Sequence, residues 1–186
     1  MIIGITGTLG AGKGTVVDYL VKEKGFKRFA VSDTFLAGEA IKRGLEPDRK
    51  ARHDIANEYR AKGPTKLMEA VYEMAHSAIE AGEDVIIEPQ HTLGEVAFIK
   101  SIGGIELGID ADLNMRYERI HKRGSEKDNV SFEEFAAFEQ LEMSSDDPNE
   151  NNLKAASEAA DYHLTNYGTQ EELFTQIEEV FKKLGA

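Results

Sequence analysis

The sequence predicts an α/β fold: a five-stranded parallel sheet flanked by helices, with two helical insertions. Two observations predict it. Short apolar runs alternate with segments of helical spacing along the chain, the mark of a parallel sheet covered by helices. A glycine-rich stretch, Gly7 to Thr15, also separates the apolar run Ile2-Ile3-Gly4-Ile5 from the helical pattern Val16-Val17-Asp18-Tyr19-Leu20-Val21, which closes at Gly25. A strand, a glycine loop and a helix in that order form a phosphate-binding unit.

The strands are expected at 2–6, 27–32, 84–88, 105–110 and 161–166, each followed by a helix start signal. Thr169 with Glu172 and Ser131 with Glu134 read as capping boxes, in which side chain and backbone satisfy each other's free groups. Pro47 and Pro64 suit first-turn positions, while Gly82 and Gly124 suit helix ends. From Thr65 to Ala81, the residues Leu67, Val71, Met74 and Ala78 share one helical face and predict core packing. About 50 residues separate the second strand from the third, and about as many the fourth from the fifth, far more than a crossover needs. Both are insertions over the sheet, beginning at the carboxyl ends of strands, where open α/β sheets bind ligands. Ser144 to Asn152 reads as a polar turn.

At 186 residues the chain fits one domain with inserted flaps. Without cysteine it has no disulfide, no thiolate nucleophile and no cysteine-bound zinc, so any metal is held by oxygen or imidazole. No apolar stretch is long enough to span a bilayer and no secretory leader precedes the first strand, so a cytoplasmic protein without membrane partners is expected. A net charge of −12 argues against a broad basic face for nucleic acid. Yet thirteen of the 22 cations lie in two segments, 42–66 and 116–127, a pattern that suits a small anionic ligand.

The loop satisfies G-x-x-x-x-G-K through Gly7, Gly12 and Lys13, but Gly14 holds the place where the P-loop pattern wants Ser or Thr, with Thr15 one step later. Glycines allow successive N–H groups to face one concavity, and Lys13 adds a positive charge.

Gly7-x-x-Gly10-x-Gly12-Lys13-Gly14-Thr15 resembles the loop of the P-loop small-molecule kinases, specifically nucleoside monophosphate kinases of the adenylate kinase kind and the related dephospho-coenzyme A kinases. The resemblance implies a three-layer P-loop NTPase fold with a core of 1–33, 79–115 and 155–186, an acceptor-binding insertion at 34–78 and a lid at 116–154. It implies ATP and Mg²⁺ as cofactors, small nucleotide substrates and a monomer or small homo-oligomer. Donor contacts would come from Gly7, Gly10, Ala11, Gly12, Lys13, Gly14, Thr15 and Arg116. Ser32-Asp33 resembles the Gly-Asp or Asp-x-Asp that the two families carry at the end of the second strand, and Asp33 is then a catalytic carboxylate; both residues also suit a helix N-cap. Asp84-Val85-Ile86-Ile87-Glu88 resembles the apolar strand whose terminal acid holds Mg²⁺ through water, so Thr15, Asp33 and Glu88 are the residues expected near the metal.

Arg116, Arg119 and Arg123 stand at i, i+3 and i+7, where related kinases carry lid arginines that clamp the transferring phosphate. Arg119 and Arg123 are assigned to catalysis with Lys13 and Asp33; the other reading is a solvated helix face, with Asp112 as its cap. The acceptor end departs from the family. Leu36 stands where an arginine is usual, and Pro89-Gln90-His91 replaces glycine followed by arginine. Arg43, Arg60, Glu88, Gln90 and His91 are the expected acceptor contacts, His91 having a structural reading as well. Thr165-Asn166-Tyr167-Gly168-Thr169 resembles the turn that lies near the donor adenine in dephospho-coenzyme A kinases. The implied activity is transfer of the γ-phosphoryl of ATP to a small phosphorylated acceptor, a nucleoside monophosphate first and dephospho-coenzyme A as the alternative. A non-catalytic ATP-binding module is the second alternative. The Asp-x-x-Gly and Asn-Lys-x-Asp motifs of signalling GTPases are absent.

Overall fold

The strand Ile2–Gly7 (β1) is buried along almost its whole length, because its apolar residues face packed helices on both sides of the sheet. The computed structural model describes residues 1–124, 130–145 and 150–185. Around β1 lie Val85–Gln90 (β3) and Ile105–Asp110 (β4), with Lys27–Ala30 (β2) and Tyr162–Thr165 (β5) at the edges. All pairs are parallel, in the order β2-β3-β1-β4-β5. The edge strand β2 exposes Lys27 and Arg28, charges that discourage pairing with another chain.

Two expected strand ends shift. β2 stops at Ala30 and the chain enters a single π-helical turn, Val31–Leu36. β3 continues two residues beyond Glu88 because Gln90 joins β1. The Ile5 N–H donates to Gln90 Oε1 at 2.8 Å, and Thr6 Oγ1 donates to the Gln90 carbonyl at 2.8 Å.

One face of the sheet is covered by helices Lys13–Lys24 (α1) and Gln170–Leu184 (α9), packed on Ile3, Ile5, Leu107 and Ile109. The opposite face carries Ala37–Lys42 (α2), Arg49–Ala61 (α3), Lys66–Glu80 (α4) and Leu93–Ser101 (α5), around Ile55, Leu67, Val71, Ile87 and Ile99. Leu113–Arg123 (α6), Phe132–Met143 (α7) and Leu153–Glu158 (α8) lie between β4 and β5. These are the three layers that the sequence predicts, with both insertions helical. On α4 the fully buried residues are Leu67, Met68, Val71 and Ala75, so the core face is turned toward Met68 relative to the expected stripe; Met74 packs half-buried at its margin.

The capping boxes at Ser131 and Thr169 form as expected, and a third joins Thr92 to Glu95 at the start of α5. Pro47 and Pro64 stand ahead of the N-caps Asp48 and Thr65, outside the first turn. Asp48 takes the capping role itself by accepting from the Ala51 N–H at 2.8 Å. Within the polar turn, 146–149 lie outside the described residues, as does Lys127 of the second cationic segment. Among the described residues no helix is long and apolar enough to cross a membrane.

One buried group opposes folding at neutral pH. The carboxyl of Glu106 on β4 is fully buried, and neither of its oxygens has a hydrogen-bond partner among the described residues. Burial first, and then the charges of Asp161 and Glu95, push it well above the ordinary carboxylate range. The folded protein therefore holds it neutral, whereas the unfolded chain ionises it from about pH 4.3. A carboxyl raised in the folded state stabilises at low pH, and that contribution is lost as pH rises toward its folded value. Glu106→Met is expected to raise stability at pH 7 by about 1–3 kcal/mol, because it removes an unsatisfied buried polar group of similar size. Denaturant unfolding of both proteins between pH 5 and 8 checks this: the gain grows with pH, and a destabilised variant at pH 7 contradicts it.

Candidate functional site

The glycine loop leaves β1 at Gly7 and enters α1 through Gly12, whose φ of +109° suits only a residue without a Cβ. A side chain at Gly12 would also overlap Asn166 Nδ2, and one at Gly7 would overlap the Ile109 carbonyl. The loop thus packs directly on the ends of β4 and β5. Gly14 differs, since a Cβ there meets nothing within 4 Å, so packing alone would accept the serine or threonine of the commoner pattern. Lys13 folds back over the loop and donates to the carbonyls of Gly7 at 2.6 Å and Thr8 at 2.9 Å. Desolvation lowers its pKa to about 8, against the pull of Glu88 and Glu142.

Two of the three α6 arginines reach this loop. Arg116 is buried, donating from Nε to the Ala111 carbonyl at 2.8 Å and from Nη1 to the Leu9 carbonyl at 3.4 Å. Its Nη1 and Nη2 also pair with the Glu139 carboxylate of α7, Nη2 at 2.6 Å. It is neither a solvated residue nor a free clamp: it fixes α6 and α7 to the loop. Arg119 Nη2 donates to the Asn166 carbonyl at 2.9 Å, and Asn166 Nδ2 donates in turn to the Ala11 carbonyl at 2.9 Å. Arg119 Nη1 is buried without a hydrogen-bond partner. Arg123 ends α6 just before Gly124, and its charge is felt at Lys13. Asp112 caps α6 by accepting from the Asn114 N–H at 2.9 Å.

The two acids stand across a shared cation. Arg28 donates from Nε to Glu88 Oε1 at 2.8 Å and lies 3.9 Å from Asp33 Oδ2, while Arg52 Nη1 donates to Asp33 Oδ1 at 2.8 Å. Among the described residues, no three acidic or histidine side chains converge as a metal-binding group. Of the residues expected near a metal, Asp33 and Glu88 both lie beside Arg28, and Thr15 offers a hydroxyl.

Beyond the acids lies a cavity of about 710 Å³ between α3 and α7. Its walls include the cations Arg49, Lys50, Arg52 and Arg60, the apolar Leu36, Leu67, Phe138 and Leu141, and His91. Arg60 and His91 line the cavity. Gln90 does not, since its side chain is spent inside the sheet on the Ile5 N–H and the Ile87 carbonyl. Arg43 lies outside it, paired with Glu58 at 2.7 Å, and Glu88 faces Arg28. Arg49 and Arg52 are the lining arginines that the sequence did not single out. Arg49, Arg52, Ala56 and Arg60 fall at i, i+3, i+7 and i+11, one stripe of a helix, and that signal was available.

Glu95 organises this wall. Its buried carboxylate accepts from Arg60 Nε at 2.8 Å and from the His91 and Thr92 N–H groups at 2.7 and 3.2 Å. Arg60 is held with its Nη1 toward Asn57 and Asn151. Burial, followed by the charges of Lys13 and Arg60, lowers the His91 pKa to about 3. His91 is therefore a neutral imidazole between the loop lysine and the cavity.

Residues 3–143 match the family model described as an AAA domain. A UPF0200 protein of Sulfurisphaera tokodaii is 32% identical over 189 residues, covering 98% of this chain and 97% of the relative. The chain belongs to the AAA domain family and to the UPF0200 proteins. Among solved structures, TT1252 from Thermus thermophilus superposes with a TM-score of 0.63 at 22% identity, over 99% of this chain and 97% of that one. Shikimate kinase from Bacteroides thetaiotaomicron does so with a TM-score of 0.59 at 12% identity, over 100% and 99%. The fold is the P-loop fold that kinases of small molecules also have.

The contrast between Arg116 and Arg119 can be measured. Arg116→Met strands the Glu139 carboxylate against α6 and is expected to cost about 3–5 kcal/mol of stability. Arg119→Met removes hydrogen bonds to Asn166 and is expected to cost about 0.5–1.5 kcal/mol. Urea unfolding of the two variants checks this, and the reverse order would refute the structural role given to Arg116.

Proposed function

We propose that the chain is a phosphotransferase that moves the γ-phosphoryl group of ATP to a small phosphorylated acceptor, a nucleoside monophosphate being the acceptor that the Gly-Lys-Gly-Thr loop favours. The observation that supports this is adjacency: a phosphate-cradling loop opens beside a cavity walled by arginines, and His91 senses the charges of both.

In this reading the triphosphate lies on the N–H groups of Gly7 to Thr15 and the amino-terminal end of α1. Lys13 leaves the carbonyls of Gly7 and Thr8 for the phosphates. Thr15, Asp33 and Glu88 would hold Mg²⁺, and the metal would neutralise charge on the phosphate oxygens. An oxygen of the acceptor phosphate attacks the γ-phosphorus, and the bond to the β–γ bridging oxygen breaks as ADP leaves. Asp33 would orient the acceptor or a metal-bound water, while Arg119 and Arg123 meet the charge that spreads over the transferring group. Arg60, fixed by Glu95, holds the acceptor phosphate. The domain roles follow: a core of 1–33, 79–115 and 155–186, an acceptor insertion at 34–78 and a lid at 116–154. Dephospho-coenzyme A is the second acceptor considered, supported by the Asn166 turn against Ala11.

Two measurements test the proposal. ADP release with AMP, dAMP, CMP, UMP, dTMP or dephospho-coenzyme A as acceptor identifies the substrate; release with none of them removes both acceptor assignments. Lys13→Ala is expected to reduce turnover about a hundredfold or more with the fold intact, whereas an unchanged cellular role in that variant would favour a nucleotide-binding module.

The lowered Lys13 pKa gives a pH signature. Lys13 loses its proton above about pH 8 in the free protein, and a triphosphate restores it. Nucleotide affinity is therefore expected to fall about tenfold between pH 7 and 9, with uptake of a proton on binding. Calorimetry in buffers of different ionisation enthalpy checks this, and an affinity independent of pH over that interval would count against Lys13 as the phosphate contact.

A further inference from the structure

Three arginines of α3 line the cavity, and each already holds a carboxylate of the protein itself. Arg60 is paired with Glu95, the two side chains being 5% and 1% exposed. Arg52 is paired with Asp33 at 2.8 Å, with exposures of 16% and 67%, and Arg49 with Glu142 at 3.2 Å, with exposures of 68% and 32%. Separating a buried pair is far more costly than separating a solvent-exposed one. An incoming anion thus leaves Arg60 and Glu95 together and can readily exchange with Asp33.

That exchange concerns the carboxylate assigned above to orienting the acceptor or a metal-bound water. Asp33 Oδ1 accepts from Arg52 Nη1, which also donates to Ser32 Oγ at 3.3 Å. The other cation near Asp33 is Arg28 at 3.9 Å, itself bound to Glu88 at the end of β3. Released from Arg52, Asp33 still has Arg28 nearby, held by Glu88 at the end of β3.

We propose that Asp33 occupies Arg52 as a stand-in for the acceptor's anionic group, and that a phosphate monoester dianion entering the cavity displaces it. Arg52 is then a positioning residue that keeps the Asp33 carboxylate out of the reaction until the acceptor is seated. This rests on the acceptor cavity assigned above. One consequence is restraint of wasteful hydrolysis, in which water attacks the γ-phosphorus of ATP and ADP and inorganic phosphate are released.

The test uses the full chain saturated with ADP, which fills the loop, and inorganic phosphate as the probe for the cavity. The Nε–Hε signals of Arg49, Arg52 and Arg60 and the carboxyl carbon signal of Asp33 are followed by NMR, with Arg52→Gln and Asp33→Asn for assignment. The expected result is that Arg52 and Asp33 shift with one midpoint, and that Asp33 moves toward its position in Arg52→Gln. A shift at Arg52 with Asp33 unmoved overturns the exchange and leaves the acceptor cavity standing. No shift at any of the three arginines overturns both. Independently, acceptor-free ATP hydrolysis is expected to rise about two- to fivefold in Arg52→Gln, the range that matches loss of an exposed ion pair, and to rise less in Arg52→Lys. An unchanged or lower rate in Arg52→Gln overturns the proposal.

Discussion

The structure depends on side chains that are not there. At Gly7 the Ile109 carbonyl occupies the place of a Cβ, at Gly10 the backbone of Arg116, and at Gly12 the amide of Asn166. Each glycine of the loop is the point where a different element, β4, α6 or the turn after β5, presses on it. The phosphate cradle is therefore moulded from outside as much as by its own torsions. Hydrogen bonds from Arg116 to Leu9 and from Asn166 to Ala11 hold it in that mould. A loop fixed in this way would lose little freedom on binding the proposed phosphates.

Around the cradle the charges are arranged in two grades. Arg116 and Arg60 are buried with carboxylates and act as fasteners, one tying α6 and α7 to the loop, the other tying α3 to the start of α5. Arg28, Arg49 and Arg52 pair at or near the surface, where solvent weakens the attraction. The distinction separates residues that build the site from residues free to exchange partners in it. The net charge of −12 does not reveal it.

The fold was legible because its signals are local. Apolar runs marked the five strands, and the spacing of Ser131 with Glu134 and Thr169 with Glu172 marked helix starts without any knowledge of packing. The donor loop was legible for the same reason, as one contiguous stretch. The acceptor side was harder to read because it depends on where side chains point. Two extra residues of β3 send Gln90 into the sheet and leave the next residue, His91, facing the cavity. Arg43 falls in the turn after the short helix α2, off the stripe that carries Arg49, Arg52 and Arg60. Burial of Arg116 required Glu139, which lies 23 residues away on another helix. No spacing rule links such residues; only tertiary packing does.

The cap of α5 carries one more consequence. Glu95 completes a capping box with Thr92 and at the same time anchors Arg60, so a local helix-start signal and a distant cavity contact share one carboxylate. Neither use can drift alone. A chain that replaced Glu95 with glutamine would keep much of the cap but strand a buried guanidinium, and one that lost Arg60 would leave a buried carboxylate with only backbone partners. Positions 60 and 95 are thus bound into a single hereditary unit, and divergence at the acceptor wall has to pass through both at once or go around them, through the more exposed arginines of the same helix.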